Sequence, residues 1–262
     1  MASFFAAIAE SLFFSPDRRS YWNPSHFGLS AETIQVPGPG GVMLGGLFLP
    51  AIGASKGTVL HLHAGSTNLA NHLAQISWLV ASGYNVLMFD YRGYGKSPGT
   101  ATLDGVLADA KAALAYLRKR TDVDAQRIVV FGQAVGGAVA LRLLAQDAVG
   151  IKLAVIESAW ATHRGFMLDR YGPGIGHLAA KLLPQNVSEP VDGLRQLTLP
   201  IVLVFPERDS TVPAKQFAEL VAAAPEGRQV WRVPGKRHLN VFAYPGEWRE
   251  RMLEVMAESL AA

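Results

Sequence analysis

Residues 128–137 read Ile-Val-Val-Phe-Gly-Gln-Ala-Val-Gly-Gly. An apolar run bounded at once by glycine predicts a short buried strand. The five residues Gly132-Gln133-Ala134-Val135-Gly136 then have the spacing of a sharp strand-to-helix turn whose central side chain stands exposed above the sheet. Glycine suits both flanks, because a Cβ there meets the crowded backbone of a strained bend. In the Gly-x-Ser-x-Gly form of this turn the central residue is a serine nucleophile. Here it is Ala134. A methyl group has no oxygen to attack a carbonyl, so no acyl-enzyme forms at this position.

Length and composition agree with a large buried sheet. The 262 residues suit one α/β domain, and half of them are hydrophobic while 17% are charged, which excludes a disordered chain. The formal net charge of +3 comes from basic residues scattered along the chain. They form no stripe that would track a phosphate backbone, so nucleic-acid binding is not expected. The absence of cysteine excludes disulfides, thiolate metal sites and a cysteine nucleophile.

At the N-terminus, Phe4, Phe5, Ile8, Leu12 and Phe13 fall at helical spacing and predict a docking helix over about residues 3–14. The stretch is too short to span a bilayer, and it lacks the basic flank of a secretory signal. The expected location is therefore the cytoplasm, without stable membrane insertion. Peripheral association through this helix is the lesser reading, since no Lys or Arg precedes Arg18.

Strand and helix patterns then alternate over residues 1–262 without repeat or linker, which predicts a single domain. Thr33–Val36 and Met43–Pro50 read as an antiparallel entry pair around Pro37-Gly38-Pro39-Gly40-Gly41. Thr58–His63, Tyr84–Phe89, Ile128–Phe131, Leu153–Glu157, Ile201–Phe205 and Arg228–Val233 read as further strands. Amphipathic segments lie between them, as at Leu103, Val106, Leu107, Ala110, Leu114 and Leu117. With right-handed crossovers the array makes a mostly parallel, doubly wound α/β sheet of about eight strands, with helices on both faces.

In such a sheet functional groups sit past the C-terminal ends of strands. Asp209 follows the strand ending at Phe205, and His238 follows the last strand. The chain order turn, acid, histidine is the one that strand–turn–helix triads use. Asp209 is the expected acid, with Glu207 as the fallback, and His238 the expected general base. The backbone N–H of Val135, at a helix N-terminus, is one expected oxyanion donor and that of Gly65 the other. His61 and His63 face the same way in a strand but lack further nearby ligands in sequence, so no metal is expected. No cofactor is expected either.

The chain resembles serine hydrolases of the α/β-hydrolase superfamily. More narrowly it is similar to the short-lid branch holding the bud-emergence-type hydrolases and the α/β-hydrolase-domain depalmitoylases. The resemblance rests on His63-Ala64-Gly65-Ser66-Thr67-Asn68-Leu69, Asp90-Tyr91-Arg92-Gly93-Tyr94-Gly95-Lys96-Ser97, the turn at Ala134, Glu157-Ser158, and the Asp209 and His238 loops. It covers the chain from about residue 30 onward, and departs at Ala134 and at Ala64-Gly65, where the branch usually has Gly-Asn. It implies a carboxylesterase or thioesterase with a small-molecule ester or thioester substrate and a small lid at about residues 159–198. Trp160, Phe166, Met167 and Tyr171 fall in that lid as candidate pocket residues. Two explanations of Ala134 stand open: an inactive Ser-to-Ala variant of an active enzyme, or a natural, catalytically dead relative that binds a ligand or partner. A non-hydrolytic member of the same fold, such as a lyase, is a third. The sequence leaves the oligomeric state undetermined.

Overall fold

The computed structural model describes residues 2–262. In chain order its elements are α1 (Ala2–Ser11), β1 (Ser15–Pro16), β2 (Glu32–Pro37), β3 (Met43–Leu49), β4 (Thr58–Leu62), β5 (Ser66–Thr67), α2 (Leu69–Ala81), β6 (Asn85–Phe89), α3 (Leu103–Arg118) and β7 (Ile128–Gln133). There follow α4 (Val135–Leu144), β8 (Ile151–Glu157), α5 (His163–Tyr171), α6 (His177–Leu182), α7 (Pro190–Arg195), β9 (Ile201–Arg208), α8 (Ala214–Ala223), β10 (Gln229–Arg237) and α9 (Glu247–Ala261). Side-chain caps explain several helix starts: Asn68 accepts from the Ala70 N–H, Thr102 from Gly105 and Thr162 from Gly165.

Eight strands form one sheet in the order β10-β9-β8-β7-β4-β6-β3-β2. β3 runs antiparallel to both β2 and β6, and the remaining neighbours are parallel. This is the α/β-hydrolase sheet that the sequence resemblance implies. Successive side chains on each strand enter opposite layers. Val59, Val129, Val155 and Val204 pack with α2 and α9, whereas Leu60, Val130, Ile156 and Leu203 pack with α3, α4 and α8. Both faces are therefore covered, which is why these strands read as near-continuous apolar runs rather than alternating ones.

The turn between β7 and α4 is the tightest place in this packing. Ala134 takes φ 50° and ψ −111°, a conformation that non-glycine residues rarely adopt. A Cβ on Gly136 would lie 1.9 Å from the Leu62 carbonyl oxygen, and one on Gly132 would lie 2.5 Å from the Gly136 oxygen. The glycines thus let α4 start directly against the end of β4.

The N-terminal segment departs from its expected arrangement. The helix ends at Ser11, and Phe4, Phe5, Ile8 and Leu12 point outward, while Ala9, Glu10, Phe13 and Phe14 are buried. The inward face is set by Glu10, whose Oε1 accepts the Leu103 N–H at 2.8 Å, and by β1, which pairs with β5. A helix N-terminus anchors a carboxylate, so Glu10 outcompetes the phenylalanines for the buried side.

Gly136→Ala should destabilise the chain by more than about 3 kcal/mol, because the clash is with backbone that cannot rotate away. Gly174→Ala, with open space around its Cβ, should change stability by less than about 0.5 kcal/mol. Urea denaturation compares the two. Equal effects would contradict the close approach of α4 to β4.

Candidate active site

Gly65, Ala134, Glu157, Asp209 and His238 all lie at or just beyond the C-terminal ends of β4, β7, β8, β9 and β10. The carboxylate of Asp209 is fully buried, and its Oδ2 accepts a hydrogen bond from Nδ1 of His238 at 2.8 Å. Its Oδ1 accepts the N–H groups of Thr211 and Val212 at 2.8 and 2.9 Å. Burial alone pushes this carboxyl up, but the hydrogen bond and charge of His238, joined by those two N–H groups, outweigh it and hold Asp209 below the usual carboxylate range. Glu207, the fallback acid, is exposed on β9 and makes no contact with the imidazole among the described residues.

With Nδ1 engaged, Nε2 of His238 is left for the cavity that this residue lines. The cavity has a volume of about 270 Å³, and Ala134, Val135 and Gly65 also border it. At the first turn of α4 the Val135 N–H has no intrahelical partner. The Gly65 N–H likewise makes no hydrogen bond among the described residues. The Gly65 carbonyl, by contrast, is fixed from two sides, by the Ser15 N–H and the Tyr94 hydroxyl, each at 2.6 Å. A Cβ on Gly65 would stand 2.5 Å from Val135 Cγ2, so the two N–H groups belong to segments in close contact.

The Asp90–Ser97 string holds this loop in place. Asp90 accepts the Leu69 N–H that opens α2, Ser97 joins the Asp90 carbonyl to the Gly45 N–H, and Arg92 pairs with buried Asp109. Tyr91 and Tyr94 pack on the ring of His63, whose Nδ1–H donates to the Ala64 carbonyl at 2.7 Å. His61 and His63 are buried beside His72 of α2, and burial pushes His61 down to about 3. They act as neutral packing groups that shape the loop.

Trp160, Phe166 and Tyr171 line the cavity. Met167 does not: its side chain is fully buried among the apolar residues of the core. Leu12 and Phe13, which the sequence places only in the docking helix, add to the wall, and Ser15, Ala64, Ser66, Arg170 and Thr211 complete it. Phe13 stacks on both Trp160 and Phe166 at centroid distances of 5.4 and 5.6 Å.

A second omission is Glu157. Its carboxylate, fully buried, accepts Gln133 Nε2–H at 2.7 Å and the Val241 N–H at 3.2 Å. Gln133 immediately precedes Ala134 and accepts in turn from His61 Nε2 at 3.0 Å. Glu157 therefore ties the turn to the loop carrying His238. In sequence Glu157 is an acid ending an apolar strand and part of the resemblance, and neither signal reveals its partners. Burial pushes this carboxyl up to about 7, against the pull of its two donors.

Comparison with known proteins places these features. The family described as serine aminopeptidase, S33, matches over residues 53–188. The uncharacterized protein YfhR of Escherichia coli (strain K12) is 30% identical over 260 residues, 97% of this chain and 89% of that protein. Protein bem46 of Schizosaccharomyces pombe is 29% identical over 218 residues, 81% of this chain and 72% of that one. The structure of the Pyrococcus furiosus esterase Pf2001 shares the fold with a TM-score of 0.76 at 24% identity, covering 94% of this chain and 98% of that one.

The raised Glu157 carboxyl gives a signed prediction. Between the ordinary value near 4.5 and about 7, the folded chain keeps a proton that the unfolded chain has released, so stability falls as pH rises through that window. The loss is of order 3 kcal/mol. Glu157→Gln removes the titration, so urea midpoints measured at about pH 5 and pH 8 should fall less for the variant than for the parent chain. Parallel pH profiles would contradict the assignment.

Proposed function

The chain belongs to the α/β-hydrolase family, in its serine aminopeptidase S33 branch, and from that premise we propose that its site is that of a serine carboxylesterase or thioesterase. In this reading position 134 is the nucleophile position, Asp209 and His238 are the acid and base, and the Val135 and Gly65 N–H groups form the oxyanion hole. The chain as it stands is then an inactive Ser-to-Ala variant. The observation that carries the reading is the 2.8 Å Asp209–His238 hydrogen bond beside the same cavity as Ala134.

With serine at position 134, Nε2 of His238 takes the hydroxyl proton as the oxygen bonds to the acyl carbon. The carbonyl oxygen gains charge, which Val135 and Gly65 receive, and Asp209 stabilises the imidazolium. The tetrahedral intermediate collapses as His238 gives its proton to the departing alcohol or thiol. Water then repeats the sequence and releases the acid. A cavity of about 270 Å³ walled by Leu12, Phe13, Trp160, Phe166 and Tyr171 suits a small acyl group. In this proposal α5 and α6 form the lid.

Ala134 itself favours a second reading, a natural relative that binds a ligand or partner without turnover. The residue encoded at position 134 in the native gene separates the two. Retention of an acid and a base in hydrogen-bonding register favours the first, since binding alone does not require them.

Ala134→Ser should produce turnover of short- to medium-chain p-nitrophenyl esters. In that background His238→Ala and Asp209→Asn should each lower kcat by roughly a thousandfold or more, and the double change little further, because the members act as a unit. Glu207→Gln should leave the rate within about twofold. A folded Ala134→Ser protein with no turnover on an ester and thioester panel would refute the proposal.

A further inference from the structure

The apolar stripe of α1 is turned the wrong way for a helix that merely docks on its own protein. Phe4 is 67% exposed, and Phe5, Ile8 and Leu12 accompany it along one side. α1 packs against α6, and Tyr171 donates its hydroxyl to the Leu12 carbonyl, so this side continues into the segment after β8. There Leu168, Ile175 and Leu178 are also exposed, the last two at 66% and 61%. Leu12 is at once part of this surface and part of the cavity wall. The apolar face thus meets the cavity of the candidate site at Leu12.

The exposed charges beside it that have no ion-pair partner are basic. Over α1 and residues 163–182 the acids are Glu10, which is buried, and Asp169, which is bonded to Lys215 and Gln216. Of the bases, Arg164 is paired with Glu189 at 3.7 Å and donates to the Leu183 and Pro184 carbonyls, whereas Arg170 and Lys181 have no carboxylate partner among the described residues. An open groove of about 530 Å³ next to the apolar residues is lined by Arg164, Leu168, His177, Ala180, Lys181 and Gln185. No helix among the described residues is long and apolar enough to cross a membrane.

We propose that α1 and the α5–α6 segment form one face that docks on the surface of a lipid bilayer carrying anionic headgroups. The side chains of Phe4, Phe5, Ile8, Ile175 and Leu178 enter the acyl boundary, as in helices that lie in the interface plane. The groove at Lys181 lies at headgroup depth, where an unpaired basic residue is attracted by anionic lipid. A second copy of the chain would cover the apolar part but would bring the same basic groove against itself. The inference rests on this surface and not on the chemistry at Ala134, so a negative ester assay leaves it standing.

Flotation of the full chain with vesicles tests it. The chain should float with phosphatidylcholine vesicles containing phosphatidylglycerol, and bind pure phosphatidylcholine at least about fivefold more weakly. Replacing Phe4, Phe5 and Ile8 together by serine should lower partitioning more than tenfold, roughly, with an unchanged melting temperature, since these side chains are exposed. Lys181→Glu should weaken binding to the anionic vesicles by about fivefold or more and leave binding to phosphatidylcholine alone as it was. Failure to float, equal binding to both lipids, or a triple variant that floats like the parent would each overturn the proposal. So would a concentration-dependent dimer in sedimentation that the triple change abolishes, without vesicle binding, since it would assign the face to a second copy.

Discussion

The close approach of α4 to the end of β4 is the constraint on which the rest of this molecule depends. Gly136 lies so near the Leu62 carbonyl that no side chain fits between them. The chain can enter α4 there only by bending sharply at Ala134, whose φ of 50° costs about 1–3 kcal/mol. That bend is held by β7–β8 pairing, with the Ala134 N–H donating to the Glu157 carbonyl at 2.9 Å. Two consequences follow. The N-terminal end of α4, with its free N–H groups and positive partial charge, faces the cavity. The loop after β4 is pressed against Val135, so Gly65 meets it there. None of this geometry uses a hydroxyl at position 134, which is why an alanine leaves the framework intact.

Much of that framework was legible because it rests on local rules. The apolar runs read at 58–63, 84–89, 128–131, 153–157 and 201–205 fall at strands and are buried throughout, as covering on both faces requires. The positions of Asp209 and His238 after their strands are read from chain order, and the structure brings the two side chains to a 2.8 Å hydrogen bond. What stayed hidden depends on competition between distant groups. The spacing of Phe4, Phe5, Ile8 and Leu12 locates an apolar stripe, but its direction is decided by Glu10 reaching Leu103, 93 residues away. Met167 and Phe166 are neighbours in sequence and both belong to the buried core, yet Phe166 alone of the two borders the cavity, a difference that depends on tertiary packing. Glu157 is equally silent, because its partners come from the ends of two other segments.

These hidden elements all act on the same opening. Phe13 stacks between residues of α5 and the loop before it, β1 fixes the Gly65 loop, and Leu12 reaches the outer surface. The N-terminal segment therefore builds a wall of the cavity as well as an apolar rim outside it. Glu157, Gln133 and His61 form a buried polar chain beneath, which joins the turn to the histidine loop. Such a chain stays ordered only while each member is satisfied. The site is thus held from above by stacked rings and from below by hydrogen bonds.

The central proposal is that the N–H groups of Val135 and Gly65, residues that line one cavity with Ala134 and His238, are preformed donors for a carbonyl oxygen. A crystal structure of the chain as it stands, soaked with an intact short-chain ester, tests it most directly. The ester carbonyl oxygen should lie about 3 Å from both N–H groups, with its carbonyl carbon above Ala134 and Nε2 of His238 facing the gap between them. An ester bound with its carbonyl away from both donors, or His238 parted from Asp209 in the complex, would contradict the account.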